Sequence, residues 1–190
     1  MARLIGSAAC VAVLAAAGCG VTEPNAGRYP PPAPSVGESG RLEAARAAIA
    51  AAVADPARPA ADRERDARVQ PAALLAFARA APGQQAAVVR GGDGYYARLL
   101  ERVARPQGRV TADLSAGARL DLVLAESRAA GPDPTHAEAF AALAPGGLYV
   151  LTDAADGARA AVEAAGFVFD AERRGGDGSL ALRFRKPLPR

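Results

Sequence analysis

The chain predicts an α/β fold: a mainly parallel sheet with flanking helices, closed by an antiparallel hairpin. Three observations predict it. From Ala86 onward, short apolar runs alternate with segments of helical period, the pattern of strands joined by helical crossovers. A glycine-rich turn, Arg90-Gly91-Gly92-Asp93-Gly94, lies between one apolar run and one helical segment. The same five residues return at Arg174 to Gly178, between two strand-like runs. Asp-Gly between strands favours a hairpin, whose turn needs positive φ.

The elements follow in order. Arg41 to Ala54 is alanine-rich and helix-prone, and Pro56 and Pro59 break it. Ala60 to Arg68 is a charged helical segment, and Asp62, Arg65, Asp66 and Arg68 read as an exposed ion-pair face. Pro71 opens a third helix that Ala81-Pro82-Gly83 stops. Ala86 to Val89 is a buried strand. Tyr96, Leu99, Leu100 and Val103 fall at helical spacing. Val110 to Leu114 and Leu120 to Ala125 are strand-like. Asp133-Pro134 supplies an N-cap and a first-turn proline for a helix reaching Leu143. Pro145-Gly146-Gly147 ends it, and Leu148 to Thr152 is a strand. Ala158 to Ala165 is a helix capped by Gly166. Phe167 to Glu172 and Leu180 to Phe184 are the last two strands.

One connection conflicts with a parallel sheet. Parallel neighbours need a crossover of about a dozen residues, and Ser115 to Arg119 is shorter than that. RVTADLSAGARLDLVLA therefore reads as an antiparallel hairpin turning at Ser115 to Ala118.

The N-terminus has an export layout. Arg3 precedes an apolar run to Ala17, which is short for a membrane span. It ends in Ala16-Ala17-Gly18-Cys19, which resembles the lipobox of bacterial lipoproteins. That resemblance implies a signal peptide over 1–18 and an acylated Cys19. Residues 19–40, rich in Pro and Gly, form a tether. An α/β domain spans 41–190, with N-terminal helices over 41–80. With Cys10 lost with the signal and Cys19 capped by lipid, no disulfide framework is left. The expected location is the periplasmic face of the outer membrane, or else the inner membrane, with the lipid as the membrane contact.

Composition narrows the partners. Lys186 is the single lysine, and the net charge is only +3. There is no dense basic tract, so nucleic acid is not expected. No Cys/His set suggests a metal. His136 is the single histidine and has no sequence partner for acid–base work, so a surface role is expected.

The two glycine copies are expected to differ. The second only turns a hairpin. The first precedes a helix, where glycines let the backbone approach a ligand and free amides point at it. Gly92-Asp93-Gly94-Tyr95-Tyr96-Ala97 fits G-x-G-x-x-A. Asp113 follows Gly94 by 19 residues, about where an acid binds a ribose hydroxyl. Asp93 either binds a cofactor amine or caps the helix. Of the two tyrosines, Tyr95 is the pocket candidate and Tyr96 the core residue. Glu126 ends a strand at the edge where open α/β sheets bind ligands.

In order, DPARPAADRERDAR, PAALLAFARAAPG, GGDGYYARLL, FAALAPGGLYVLTD, VEAAGFVFDAE and LRFRKP resemble a group of bacterial class I methyltransferases whose members often carry export signals. The resemblance covers most of Ala54 to Pro187. It implies a Rossmann-like, seven-stranded sheet that binds S-adenosylmethionine, with Gly92 and Gly94 facing the cofactor. The chain departs from that family at several places. Val88 stands where the family has an acid, Asp93 replaces a middle glycine, and Val69 stands in place of an arginine. Glu126-Ser127-Arg128 replaces a Tyr-His-Asp-like segment. The stretch for helix B, strand three and helix C is missing between Leu114 and Leu120.

Three functional classes follow. One is methyl transfer from S-adenosylmethionine to a small acceptor, which needs mainly positioning and few catalytic side chains. Another is a non-catalytic lipoprotein on a decayed methyltransferase fold. The third, an NAD-dependent oxidoreductase, is allowed by the glycine pattern but unsupported by the other blocks. Val88, the deletion and export favour decay; the matching blocks favour transfer.

Overall fold

A computed structural model describes residues 36–126 and 133–189. The signal, most of the tether and Cys19 lie outside the described residues, as do Ser127 and Arg128. The described residues fall within one compact unit. Among the described residues no helix is long and apolar enough to cross a membrane.

The first three elements are helices: α1 (Val36–Ala54), α2 (Ala60–Val69) and α3 (Pro71–Phe77). Helix α1 begins inside the stretch expected to be tether. Its first turns are largely exposed, and Ile49 and Ala52 bury its C-terminal half. Then come β1 (Gln85–Val89), α4 (Tyr95–Ala104), β2 (Arg109–Thr111) and β3 (Leu120–Glu126). The chain ends with α5 (Pro134–Ala142), β4 (Leu143–Thr152), α6 (Ala158–Ala164), β5 (Val168–Arg174) and β6 (Leu180–Arg185).

Six strands form one mixed sheet in the order β2-β1-β3-β4-β6-β5. Strands β1 to β4 are parallel, and β6 is antiparallel to β4 and β5. Successive residues of β1 feed opposite faces, as the pleat requires. Ala86 and Val88 pack with Leu75, Leu99 and Val103 under α1, α3 and α4. Ala87 and Val89 pack with Tyr149, Phe167 and Phe184 under α5 and α6. A strand covered on both faces reads as an unbroken apolar run, which is how AAVV reads.

The hairpin expected at Ser115 to Ala118 does not form. Strand β2 pairs with one side of β1 and β3 with the other, both parallel. Residues 112–119 make that crossing without a helix. Eight extended residues reach about 26 Å, while a three-residue strand runs only about 10 Å. The usual crossover length applies to longer strands with a helix between them. Leu114 packs into the core on the α5 side, and the Gly117 N–H reaches the Ala141 carbonyl at 3.4 Å. The sheet thus has six strands against the seven the resemblance implies, and the missing strand falls where the sequence is short.

The Pro-Gly-Gly turn also differs from expectation. It lies inside β4 as an irregularity: Leu120 pairs with Leu143, but Leu122 pairs with Leu148. Gly146 has φ +80°, and a Cβ on Gly147 would meet backbone oxygens of Ala144 and Leu120 at 2.9 and 3.0 Å. Only glycines fit this crowded start to the strand.

Candidate functional site

The C-terminal ends of β1, β3 and β4 lie side by side, the edge where open α/β sheets bind ligands. Two of them turn in a strained backbone. Arg90 after β1 has φ 59° and Asp153 after β4 has φ 52°. Non-glycine residues in this region cost about 1–3 kcal/mol and concentrate at functional sites.

The first RGGDG copy is held from several sides. Arg90 grips Asp133, the N-cap of α5, with a hydrogen bond of 2.7 Å and an ion-pair contact of 2.6 Å. The Gly94 N–H donates to Gly91 O at 2.6 Å. The Tyr95 N–H donates to the Asp93 carboxylate at 3.0 Å. Asp93 is thus a capping residue, and that bond leads the causes holding its carboxyl below the usual range. Two amides that a cofactor would need are satisfied within the turn.

Helix α2 covers this turn. Asp62 is buried and accepts from Arg98 Nε and Nη2 at 2.9 and 2.8 Å. The same Arg98 donates from Nη1 to Asp93 O at 2.7 Å. Arg65 pairs with Asp93 at 2.7 Å and lies 4.7 Å from the Tyr95 ring centroid. Asp66 takes two 2.7 Å bonds from Arg58 and one from the Tyr95 hydroxyl. The α2 charges therefore do not form the exposed face expected of them. Their partners stand on α4, on the turn and on Arg58, so the helix is pinned across the sheet edge.

The expected cofactor residues are only partly brought together. Gly92 has open space over it, whereas a Cβ on Gly94 would meet Arg98 Nη1 at 3.0 Å. Tyr95 is fully buried, and burial pushes its phenol above the ordinary range. Tyr96 packs in the core as expected and also borders a cleft. Glu126 is near enough to raise the Tyr96 pKa. Asp113 is exposed and lines a separate cavity of about 260 Å³ with Gln85, Thr111 and Ser115. That cavity shares no residue with the cleft of Tyr96.

The Tyr96 cleft has a volume of about 40 Å³. Thr152 and Asp153 bound it from the end of β4, Arg65 and Arg68 from α2, and Arg173, Asp177 and Ser179 from the β5–β6 hairpin. The second RGGDG copy does turn that hairpin, with Gly175 N–H on Ser179 O at 2.8 Å and Gly178 at φ +82°. It also supplies part of the cleft wall, which its strand-to-strand context did not reveal. The hairpin leans on α2 because Arg173 donates to Gln70 at 2.7 Å. A Cβ on Gly176 would strike Gln70 Nε2 at 2.8 Å.

His136 is buried rather than on the surface. Its Nδ1 lies 3.0 Å from the Tyr149 hydroxyl, and both side chains sit under α5. Among the described residues no cluster of His, Cys, Asp or Glu could hold a metal.

No family model and no curated protein matches the sequence. Solved structures do resemble the fold. A SAM-dependent methyltransferase from Aquifex aeolicus aligns at 12% identity and TM-score 0.50, over 74% of this chain and 97% of that one. A chain from the complex of the Haloferax volcanii Trm112 methyltransferase activator with the putative methyltransferase aligns at 15% identity and TM-score 0.52. That alignment covers 73% of this chain and 97% of the other. TrmN from Thermus thermophilus is 22% identical at TM-score 0.45, over 60% of this chain; the chain spans 47% of TrmN, about half its length. The class defined by sheet and layers is a Rossmann-like α/β protein. Within it, the fold is that of class I SAM-dependent methyltransferases, short of one strand.

The residues present do not fit S-adenosylmethionine in the place the fold provides. Ligand pockets for molecules of that size are about 300–1,000 Å³. The cleft at this edge is about 40 Å³, the Gly94 side is filled by Arg98, and Asp113 faces another cavity.

Proposed function

We propose that this protein is a lipid-anchored binding protein that uses a methyltransferase fold as a scaffold and transfers no methyl group. One observation carries the reading: Asp62–Arg98 and Arg65–Asp93 close the first RGGDG turn from above. Ligand approach to that turn would require breaking charge-assisted hydrogen bonds to one nearly buried carboxylate and one backbone carbonyl. The lipid anchor rests on Arg3, the apolar run and Cys19, and an exported protein is separated from a cytoplasmic cofactor.

Methyl transfer is the second reading. It is favoured by the open space over Gly92 and by the approach of Tyr96 on α4 to Glu126 and Asp153 at the ends of adjacent strands. Calorimetry of the full chain with S-adenosylhomocysteine separates the two. The scaffold reading expects no heat of binding at millimolar ligand. Saturable binding that Asp62→Ala strengthens would establish the second reading and identify α2 as a cover over a working site.

A further inference from the structure

The Tyr96 cleft is polarised. One wall carries an acid: Asp153 follows β4 and lines the cleft beside Thr152. The opposite wall is basic, with Arg65 and Arg68 from α2 and Arg173 from the hairpin. Within that wall Arg65 is committed to Asp93, and Arg173 makes one bond to Gln70. Asp177 stands beside Arg68, its carboxyl held charged by bonds from Ser179 and, less, by Arg68. Between the walls lies Tyr96, only 4% exposed. No hydrogen bond from another described residue reaches its hydroxyl, although it lines the cleft. Its ring packs in the core while the residue borders the cleft, which sets the hydroxyl within reach of a ligand there. Burial first, then Asp153 and Glu126, push its pKa up to about 12, so the hydroxyl stays neutral and its oxygen can accept from a cationic group.

Charges of both signs on facing walls suit a ligand that carries both. A lone anion would be repelled by Asp153 and Asp177, and a lone cation by the arginines. The volume of about 40 Å³ holds roughly three water molecules, which limits the ligand to a few heavy atoms. We propose that the cleft beside Tyr96 binds the zwitterion of a small α-amino acid, its ammonium against Asp153 and the Tyr96 hydroxyl, its carboxylate against Arg68 and Arg173. The assignment rests on the scaffold reading, because it gives the closed sheet edge a ligand much smaller than a nucleoside. The strained φ of Asp153 fits this role, since it turns a charged side chain into the cleft at the end of a buried strand.

The test is calorimetry of the full chain with glycine, L-alanine and L-serine, alongside acetate, methylamine and S-adenosylhomocysteine. At least one amino acid should bind, with acetate and methylamine weaker by about tenfold or more, since each makes half of the charge-assisted contacts. Asp153→Asn keeps a residue that tolerates positive φ, and Arg68→Gln changes an exposed position. Each should weaken amino-acid binding by about tenfold with the melting temperature nearly unchanged. Tyr96→Phe keeps the ring packing and should weaken it severalfold. No binding of any amino acid at millimolar concentration overturns the inference. So does binding that is indifferent to both Asp153→Asn and Arg68→Gln, or acetate or methylamine binding as tightly as the amino acids. Binding of S-adenosylhomocysteine would overturn the scaffold reading itself; absence of all binding would overturn only the zwitterion.

Discussion

Arg98 of α4 and Asp62 of α2 face each other across the first RGGDG turn, joined by two hydrogen bonds of 2.9 and 2.8 Å. This contact sets the position of α2 over the sheet edge. Asp62 is nearly enclosed, while Arg98 keeps about a third of its side-chain exposure, 34%, so solvent screens the pair in part. Asp62→Ala should then lower stability by about 2 kcal/mol, the scale for hydrogen bonds to charged groups. Urea unfolding checks this: the midpoint should fall with the m-value unchanged. An unaltered midpoint would mean that α2 is held by its other contacts.

A buried histidine gives the protein a mild acid sensitivity. Burial lowers the His136 pKa below its ordinary 6.5, with Asp133 opposing and Arg90 reinforcing the shift. The unfolded chain therefore binds the proton more readily than the native one. Stability is full above about 6.5 and falls as pH drops from there toward the folded pKa. The lowered carboxyls of Asp66, Asp93 and Asp133 act lower, below their ordinary 3.8. Between pH 6.5 and 5 the slope belongs to His136. Melting temperatures of wild type and His136→Gln should converge as pH falls through that window. Parallel curves would show that His136 titrates normally.

The strand and helix order was legible because periodicity and caps are local signals. Asp133 caps α5 by accepting from the Thr135 N–H at 3.0 Å, as Asp-Pro suggested. The second glycine copy is the hairpin that Asp-Gly indicates. What failed depended on contacts far apart in sequence. The path of residues 112–119 is set by the shortness of β2 and by Leu114 finding the α5-side core. The α2 charges looked self-paired at helical spacing, yet Arg65 and Asp62 find partners 28 and 36 residues away and Asp66 pairs with Arg58 outside the helix. Tyr95 joins Tyr96 in the core because Asp66 and Arg65 claim it, and no adjacent residue signals that. The small cleft was legible only in part. Tyr96 stood in the sequence as a candidate core residue, but Arg68, Arg173 and Asp177 meet only through tertiary packing.

The N-terminal assignment has a direct check. If Cys19 is the acylated residue, labelled palmitate should enter the wild-type protein in a bacterial host, and Cys19→Ser should abolish its incorporation. Retained label in that variant would remove the anchor and with it the membrane as a partner.

Three glycine substitutions rank the two RGGDG copies by backbone rather than by ligand. Gly178 has φ +82° with nothing within 4 Å of where an added methyl would sit, so Gly178→Ala meets only the strain of a left-handed residue. That strain is about 1 kcal/mol. Gly94 has φ +74°, and its Cβ would also press on Arg98 Nη1 at 3.0 Å. Moving that guanidinium disturbs the bonds to Asp62 and to Asp93 O, so Gly94→Ala should cost more than Gly178→Ala. Gly92 has no positive φ and open space around its Cβ, so Gly92→Ala should be near neutral. Avoiding glycine's unfolded-state entropy could even make it stabilising by a few tenths of a kcal/mol, up to about 1. Urea midpoints should therefore fall in the order Gly92→Ala, Gly178→Ala, Gly94→Ala. Adding Arg98→Ala should narrow the gap between the last two, because the side chain that the new methyl displaces is gone. If Gly94→Ala costs no more than Gly178→Ala, Arg98 yields freely and is not the plug over the turn. The case against a cofactor at this edge would then rest on the small cleft and on Asp113 alone.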